Sequence, residues 1–114
     1  LLHPLQIKNW LPLIQHSVSV KQNIAQHDYK ETGLRKVLNF GHTIGHAIES
    51  HSFIKKKPLL HGHAVAIGIV AESYLSMIKC NLPPEDFAEI NAYLLQHYKK
   101  YCSMKLSYKS LSKY

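Results

Sequence analysis

Residues 33–49 of the chain read GLRKVLNFGHTIGHAIE, and this stretch decides the predicted fold. Its apolar residues recur at steps of three and four, which is the spacing of one face of an α-helix. We therefore predict a helix from about Leu34 to Ser50, with Gly41 and Gly45 on its apolar face. Because glycine costs roughly 1 kcal/mol relative to alanine inside a helix, this pair indicates close contact with a second helix or a ligand. The apolar residues of the face are Leu34, Val37, Leu38, Ile44 and Ile48.

Three more helices are predicted around this segment, and no stretch shows convincing strand alternation. The first runs from about Pro12, a residue that suits the first helical turn, to His27 or Asp28, and residues 29–33 connect it to the second. A loop over residues 51–60 precedes a third helix from about His61 or Gly62 to Lys79. The fourth begins at Pro83 or Pro84, where two acidic residues follow in the first turn. The predicted fold class is therefore all-α, a helical bundle.

Composition restricts the class of protein. The chain has 114 residues, of which 46% are hydrophobic, and this is enough for one domain with a core. It contains no run of about 18 uncharged apolar residues, so we expect no transmembrane helix. The sequence opens at Leu1 without a basic and then apolar leader, which argues against a signal peptide and suggests that residues have been removed upstream. Cys80 and Cys102 stand outside any CxxC pair and are predicted to be reduced thiols.

The net charge of +7 is compatible with nucleic acid, anionic lipid or small anionic substrates as partners. The one tight basic run, Lys55–Lys57, precedes Pro58 and lacks the interleaved aromatic residues of a groove for single strands. A solvated loop is therefore the simpler interpretation of this run. The nine histidines are unusual for so short a chain and indicate metal binding or catalysis.

Four polar residues of the predicted second helix share one stripe. At 100° per residue, Arg35, Asn39, His42 and His46 lie within about 60° of one another. His42 and His46 are four residues apart, so both side chains can reach one point. The same spacing occurs in HExxH zinc helices, but residues 43–45 are Thr-Ile-Gly and lack the catalytic glutamate, which disfavours a metalloprotease.

A catalytic zinc site needs a third protein ligand, and His61 or His63 at the start of the third helix could contribute one. These residues predict a helical domain with a metal or anion site. Ordinary polar packing of the His42–His46 pair is the alternative interpretation.

Residues 33–49 closely resemble the signature of the 3-dehydroquinate synthases, and residues 60–68, LHGHAVAIG, resemble the second signature of that family, usually HGEAVAIG. The resemblance covers about residues 13–101. It implies that residues 1–114 are a single helical domain corresponding to the C-terminal part of such proteins, truncated at both ends and without the NAD-binding domain. Further residues at the family's spacing are Lys21, Asp28 and Glu31.

The resemblance implies a metal centre. His42 and His61 would be two ligands of a zinc ion, and imidazole ligands accept cobalt as well. The third ligand of the family is a glutamate that this sequence lacks. His63 stands where the family usually has an acidic residue, and it takes no role from the resemblance.

The resemblance also implies substrate contacts. Asn39 and His46 would contact the substrate phosphate, with His46 near the proton transfers. Lys21 and Arg35 would bind the carboxylate and neighbouring oxygens, and Glu31 would line the same pocket. Lys21, Arg35, Asn39 and His46 are thus the implied catalytic residues, and no residue of this chain is expected to contact NAD.

The family converts 3-deoxy-D-arabino-heptulosonate 7-phosphate to 3-dehydroquinate and phosphate in the shikimate pathway, with NAD used and regenerated. The resemblance implies this activity for the full-length protein, as a cytoplasmic homodimer with no nucleic-acid or membrane partner, whereas the 114 residues alone are predicted to be inactive. Two alternatives are another NAD- and metal-dependent sugar-phosphate cyclase and a non-catalytic helical module that binds metal or anions. The last gives no reason for Arg35 and Asn39 to share the histidine stripe.

Overall fold

The computed structural model describes residues 8–102, and for residues 99–102 it describes the backbone alone. This part of the chain contains helices and no strand, which confirms the all-α class. Within it, none of the helices combines the length and the apolar character required to cross a membrane. The elements are α1 (Leu11–His27), a 3₁₀-helix (Leu34–Asn39), α2 (His42–Ile54), α3 (His61–Lys79) and α4 (Pro84–Cys102).

The predicted bounds of the first and third helices agree with the structure to within one residue, and the predicted start of the fourth is confirmed, but the single helix from Leu34 to Ser50 is wrong. A 3₁₀-helix ends at Asn39, and α2 begins at His42 and continues to Ile54. Gly41 lies between them with φ of 83°, a left-handed conformation that glycine adopts without the penalty that a side chain would bring. Arg35 and Asn39 therefore belong to a different helix from His42 and His46, and the four-residue stripe on one helix is also wrong.

The chain divides into two compact units, Leu1–Asn39 and Phe40–Tyr114. In the first unit, the buried Asp28 carboxylate organises the turn between α1 and the 3₁₀-helix. Oδ1 accepts hydrogen bonds from the N–H and the hydroxyl of Thr32 at 2.9 and 3.1 Å. Oδ2 accepts the N–H groups of Gly33 and Arg35 at 2.8 and 2.9 Å. One side chain thus fixes the entry into the helix that carries Arg35.

We expect the stability of this turn to depend on pH through Asp28. The backbone N–H groups of Arg35, Gly33 and Thr32 hold the pKa of the Asp28 carboxyl well below its ordinary value. Because the folded pKa is depressed, the stabilisation is complete above the unfolded value near 3.9 and is lost as the pH falls from there toward the folded value. Asp28→Asn should lower the melting temperature by several degrees at pH 7 and by less in acid.

Thermal unfolding followed by circular dichroism between pH 2 and 7 measures this difference. Glu89→Gln removes the same charge from an exposed position of α4 and serves as the control. If Asp28→Asn and wild type differed equally at every pH, the carboxylate would not be the stabilising form.

In the second unit, α2 and α3 cross in backbone contact at three glycines. A Cβ atom on Gly45 would lie 3.0 Å from Cα of Val65, and one on Gly68 would lie 2.8 Å from the backbone nitrogen of Gly45. The predicted close contact between these helices is therefore confirmed. A small core of Ile48, Leu59 and Ala64 lies beside the crossing.

Glu72 of α3 determines where α2 begins. Gly41 occupies the N-cap position and has no side chain to accept the free N–H groups of the first turn. The Glu72 carboxylate accepts them instead, from Gly41 at 2.7 Å and from Ile44 at 3.3 Å. A negative charge at this end of the helix also complements the helix dipole. The first turn of α2, which carries His42, is thus anchored to α3.

Candidate metal and substrate site

The second unit brings three histidines together. His42 and His46 lie one turn apart on α2, and His61 is the first residue of α3. The ring centroids of His42 and His46 are 5.8 Å apart. Those of His61 lie 5.4 Å from His42 and 5.3 Å from His46. The glycine crossing places the start of α3 next to the first turns of α2, so the imidazoles from both helices share one surface.

Glu49 completes this cluster from the same face of α2, three residues after His46. Its Oε2 lies 3.1 Å from Nδ1 of His61 and 3.6 Å from Nδ1 of His46. The hydrogen bond with His61 lowers the pKa of the Glu49 carboxyl, and partial burial opposes that shift. The cluster therefore contains a carboxylate that is ionised at neutral pH.

The donor set fits a divalent transition metal. One atom each from His46, Glu49 and His61 lie within 4.8 Å of one another. Two imidazoles and a carboxylate form a set that zinc accepts in catalytic sites. The structure thus supports a metal at this cluster, although this particular triad differs from the predicted pair of His42 and His61.

The contacts of the ring nitrogens distinguish His61 from His42 and His46. Nδ1 of His42 lies 3.5 Å from the carbonyl oxygen of Phe40, and Nδ1 of His61 lies 3.1 Å from Glu49. When Nδ1 donates to such an acceptor, Nε2 carries the lone pair that can bind a metal. Nδ1 of His46 lies 3.6 Å from Glu49, so the Nδ1 contacts of His42 and His46 are both long. The shorter contact of His61 suits that ring as a ligand through Nε2.

His63 was the other candidate for a further metal ligand. Its ring packs edge-on against Tyr98 of α4 at a centroid distance of 5.7 Å. The side chain of His63 thus contacts α4, whereas His61 contacts Glu49 of α2.

Four of the predicted substrate residues lie in the first unit: Lys21, Glu31, Arg35 and Asn39. Asn39 Nδ2 donates a hydrogen bond to Glu31 Oε1 at 3.1 Å. Arg35 Nη1 donates to the carbonyl oxygen of Tyr29 at 3.1 Å, and Lys21 is exposed on α1. The structure therefore joins Glu31 with Asn39 and leaves the guanidinium with further donors for an anion.

Sequence reasoning missed two residues that shape this site, Glu49 and Glu72. Glu49 stands in the stretch that resembles the family signature, at a three-residue step from His46. That step was the available signal, since it places the carboxylate on the histidine face. Glu72 gave no signal, because its contacts with Gly41 and Ile44 cross between two helices.

Comparisons with known proteins all identify the same family. The family model for the 3-dehydroquinate synthase C-terminal region matches residues 2–114. A 3-dehydroquinate synthase of Parabacteroides distasonis is 55% identical over 86 residues, covering 75% of this chain and 24% of the relative. That of Leptospira interrogans is 45% identical over 102 residues, covering 90% and 27%. That of Streptococcus pyogenes serotype M5 is 46% identical over 92 residues, covering 78% and 23%.

The chain spans about a quarter of the length of these curated relatives. No solved structure matches it.

Proposed function

Because the chain belongs to the 3-dehydroquinate synthase C-terminal family, we propose that the protein carrying it converts 3-deoxy-D-arabino-heptulosonate 7-phosphate to 3-dehydroquinate. The reaction releases phosphate and belongs to the shikimate pathway, and we place the protein in the cytoplasm as a homodimer. The observation that supports this most is the cluster of His42, His46 and His61, with ring centroids 5.3 to 5.8 Å apart. Such a cluster can hold a transition metal, which a metal-assisted lyase requires.

In this proposal His42 and His61 hold a zinc or cobalt ion, and the resemblance supplies the third ligand from a glutamate outside this sequence. The support within the chain is the 3.1 Å contact of His61 Nδ1 with Glu49, which leaves Nε2 as the metal-binding atom, and the His42 ring 5.4 Å from that of His61. When bound, such a metal supplies Lewis-acid polarisation of a substrate hydroxyl.

His46 is the proposed proton carrier. Its side chain is 63% exposed, so a substrate or solvent can reach the ring. An imidazole can both accept and donate a proton at neutral pH. Because His46 lies on the same face of α2 as His42, one turn further along, the proposed proton transfer takes place beside the metal centre.

Lys21, Arg35 and Asn39 are the proposed anion-binding residues, with Glu31 beside them. The guanidinium of Arg35 is oriented by its bond to the Tyr29 carbonyl, and a planar fork of donors matches a carboxylate or phosphate. The Glu31 carboxylate holds the amide of Asn39, so that the side chain has a fixed direction.

NAD is also implied by the family resemblance. Residues 8–102 include no glycine-rich turn between a strand and a helix, which is the element that usually holds a dinucleotide. We therefore assign no residue of this chain to NAD, and the roles given to its histidines and anion-binding residues do not depend on it.

The test is phosphate release from the heptulosonate phosphate by the full-length protein, with NAD and added zinc. We expect release by wild type, loss of release with a chelator, and recovery when zinc is restored. A folded, metal-loaded wild type that released no phosphate would contradict the proposed substrate. A panel of other phosphorylated ketoses would then identify another sugar-phosphate cyclase, and salt-dependent nucleic-acid binding without turnover would identify a binding module instead.

A further inference from the structure

We propose that Glu49 is a positioning residue that fixes the orientation and tautomer of His61 without itself binding the metal. This inference rests on the proposed function, since it assumes that His61 holds a metal. It adds a residue to which neither the family resemblance nor the relatives' names assign a role.

The first support is the contact between the two side chains. Glu49 Oε2 lies 3.1 Å from Nδ1 of His61, which is a hydrogen-bond distance. The carboxylate only accepts, so Nδ1 carries the proton, and in the neutral ring Nε2 then carries the lone pair. Metal-binding histidines commonly donate the second ring nitrogen to a carboxylate, and this contact orients the ring and raises its basicity.

The second support is the relative exposure of the three side chains. The side chain of Glu49 is 22% exposed, whereas those of His46 and His61 are 63% and 51% exposed. Glu49 is therefore the least exposed of the three side chains. A less exposed carboxylate can orient the rings, while the exposed parts of the rings remain accessible to a metal and a substrate.

The third support is the backbone framework around Glu49. The carbonyl oxygen of Glu49 accepts a 2.6 Å hydrogen bond from the hydroxyl of Ser52, which is 1% exposed. The same hydroxyl oxygen accepts the N–H of Leu59 at 3.0 Å, two residues before His61. Ser52 thus ties the turn of α2 that bears Glu49 to the segment leading into α3. The two segments that bear Glu49 and His61 are therefore joined through the buried Ser52 side chain.

Glu49→Ala and Glu49→Gln in the full-length protein test the inference, with Glu89→Ala as a control that removes a carboxylate from an exposed position of α4. Zinc affinity is measured by competition with a chelating dye. We expect Glu49→Ala to weaken zinc binding by about 10- to 100-fold. Glu49→Gln should weaken it less, because its amide oxygen can still accept the Nδ1 proton of His61. The control should bind zinc as wild type does.

A second measurement needs neither metal nor activity. Nitrogen-15 NMR of the imidazole rings, in the metal-free protein at a pH where they are neutral, reports which nitrogen carries the proton. We expect the Nδ1–H form of His61 in wild type and in Glu49→Gln, and a shift toward the Nε2–H form in Glu49→Ala. A purely structural role of Glu49 would leave the tautomer of His61 unchanged.

The outcomes separate the two proposals. A wild type that binds no zinc overturns the proposed metal centre, whatever the variants do. A wild type that binds zinc, with Glu49→Ala unchanged in affinity and tautomer, overturns the positioning role alone. Zinc binding lost equally in Glu49→Gln and Glu49→Ala, with the tautomer retained in Glu49→Gln, would make Glu49 a direct ligand and also overturn it.

Discussion

Gly68→Ala is expected to lower the free energy of unfolding by roughly 3 kcal/mol, although alanine is the better helix former by about 1 kcal/mol. Gly68 lies inside α3, at the crossing with α2. A Cβ atom there would collide with the carbonyl oxygen of Gly41 and lie 2.8 Å from the backbone nitrogen of Gly45. Both neighbours are backbone atoms, of the N-cap and of the first turn of α2, so no side chain can rotate away. The helices must separate, and their shared core opens.

The loss is large because domains of this size are only marginally stable, with free energies of unfolding of about 5–15 kcal/mol. Gly62→Ala is the matched control, since Gly62 also lies in α3 and a Cβ atom there would have nothing within 4 Å. Intrinsic propensity alone predicts that both variants gain stability. The packing in the structure predicts that Gly68→Ala loses it and that Gly62→Ala is neutral or slightly stabilised. Urea unfolding followed by circular dichroism gives the comparison, and equal stability of the two variants would contradict the backbone contact.

The glycines also show how far the sequence could predict this fold. Three helices were predictable because proline, acidic residues and apolar periodicity mark them locally. The break at Gly41 was not, because the apolar period continues through residues 34–50 and a glycine in that register fits a helix interior as well as a turn. The deciding contact comes from Glu72, 31 residues further along the chain. No local pattern predicts such a contact.

The candidate site, like the fold, was only partly predictable from the sequence. The four-residue spacing of His42 and His46 indicated one surface, and the position of His61 and His63 at a helix start indicated that one of them could be a further ligand. The structure brings the three together. Glu49 was missed because acidic residues on helices are common and most of them only face solvent. The contact of Glu49 with His61 depends on the approach of α3, which is a tertiary feature. The roles of Lys21 and Arg35 came from family resemblance and stay predictions.

His42→Ala and His61→Ala are each expected to weaken zinc binding by the full-length protein on the order of 100-fold or more, because each removes one ligand of a small set. His46→Ala should leave zinc affinity within about 10-fold of wild type, since in our proposal it moves a proton and contacts phosphate. All three should nevertheless abolish most of the phosphate release. His16→Ala, which removes an exposed imidazole from α1, is the control for general effects of losing a histidine.

The contrast between His42→Ala and His46→Ala decides which atoms form the metal site. The triad of His46, Glu49 and His61 has donor atoms within 4.8 Å of one another, so a metal bound there would be lost in His46→Ala and retained in His42→Ala. A metal held by His42 and His61, the pair that the family resemblance implies, would give the opposite result. His61 is common to both arrangements, and zinc binding that survived His61→Ala would contradict both of them. Retention of zinc without turnover in His46→Ala alone is the pattern that separates a proton carrier from a ligand.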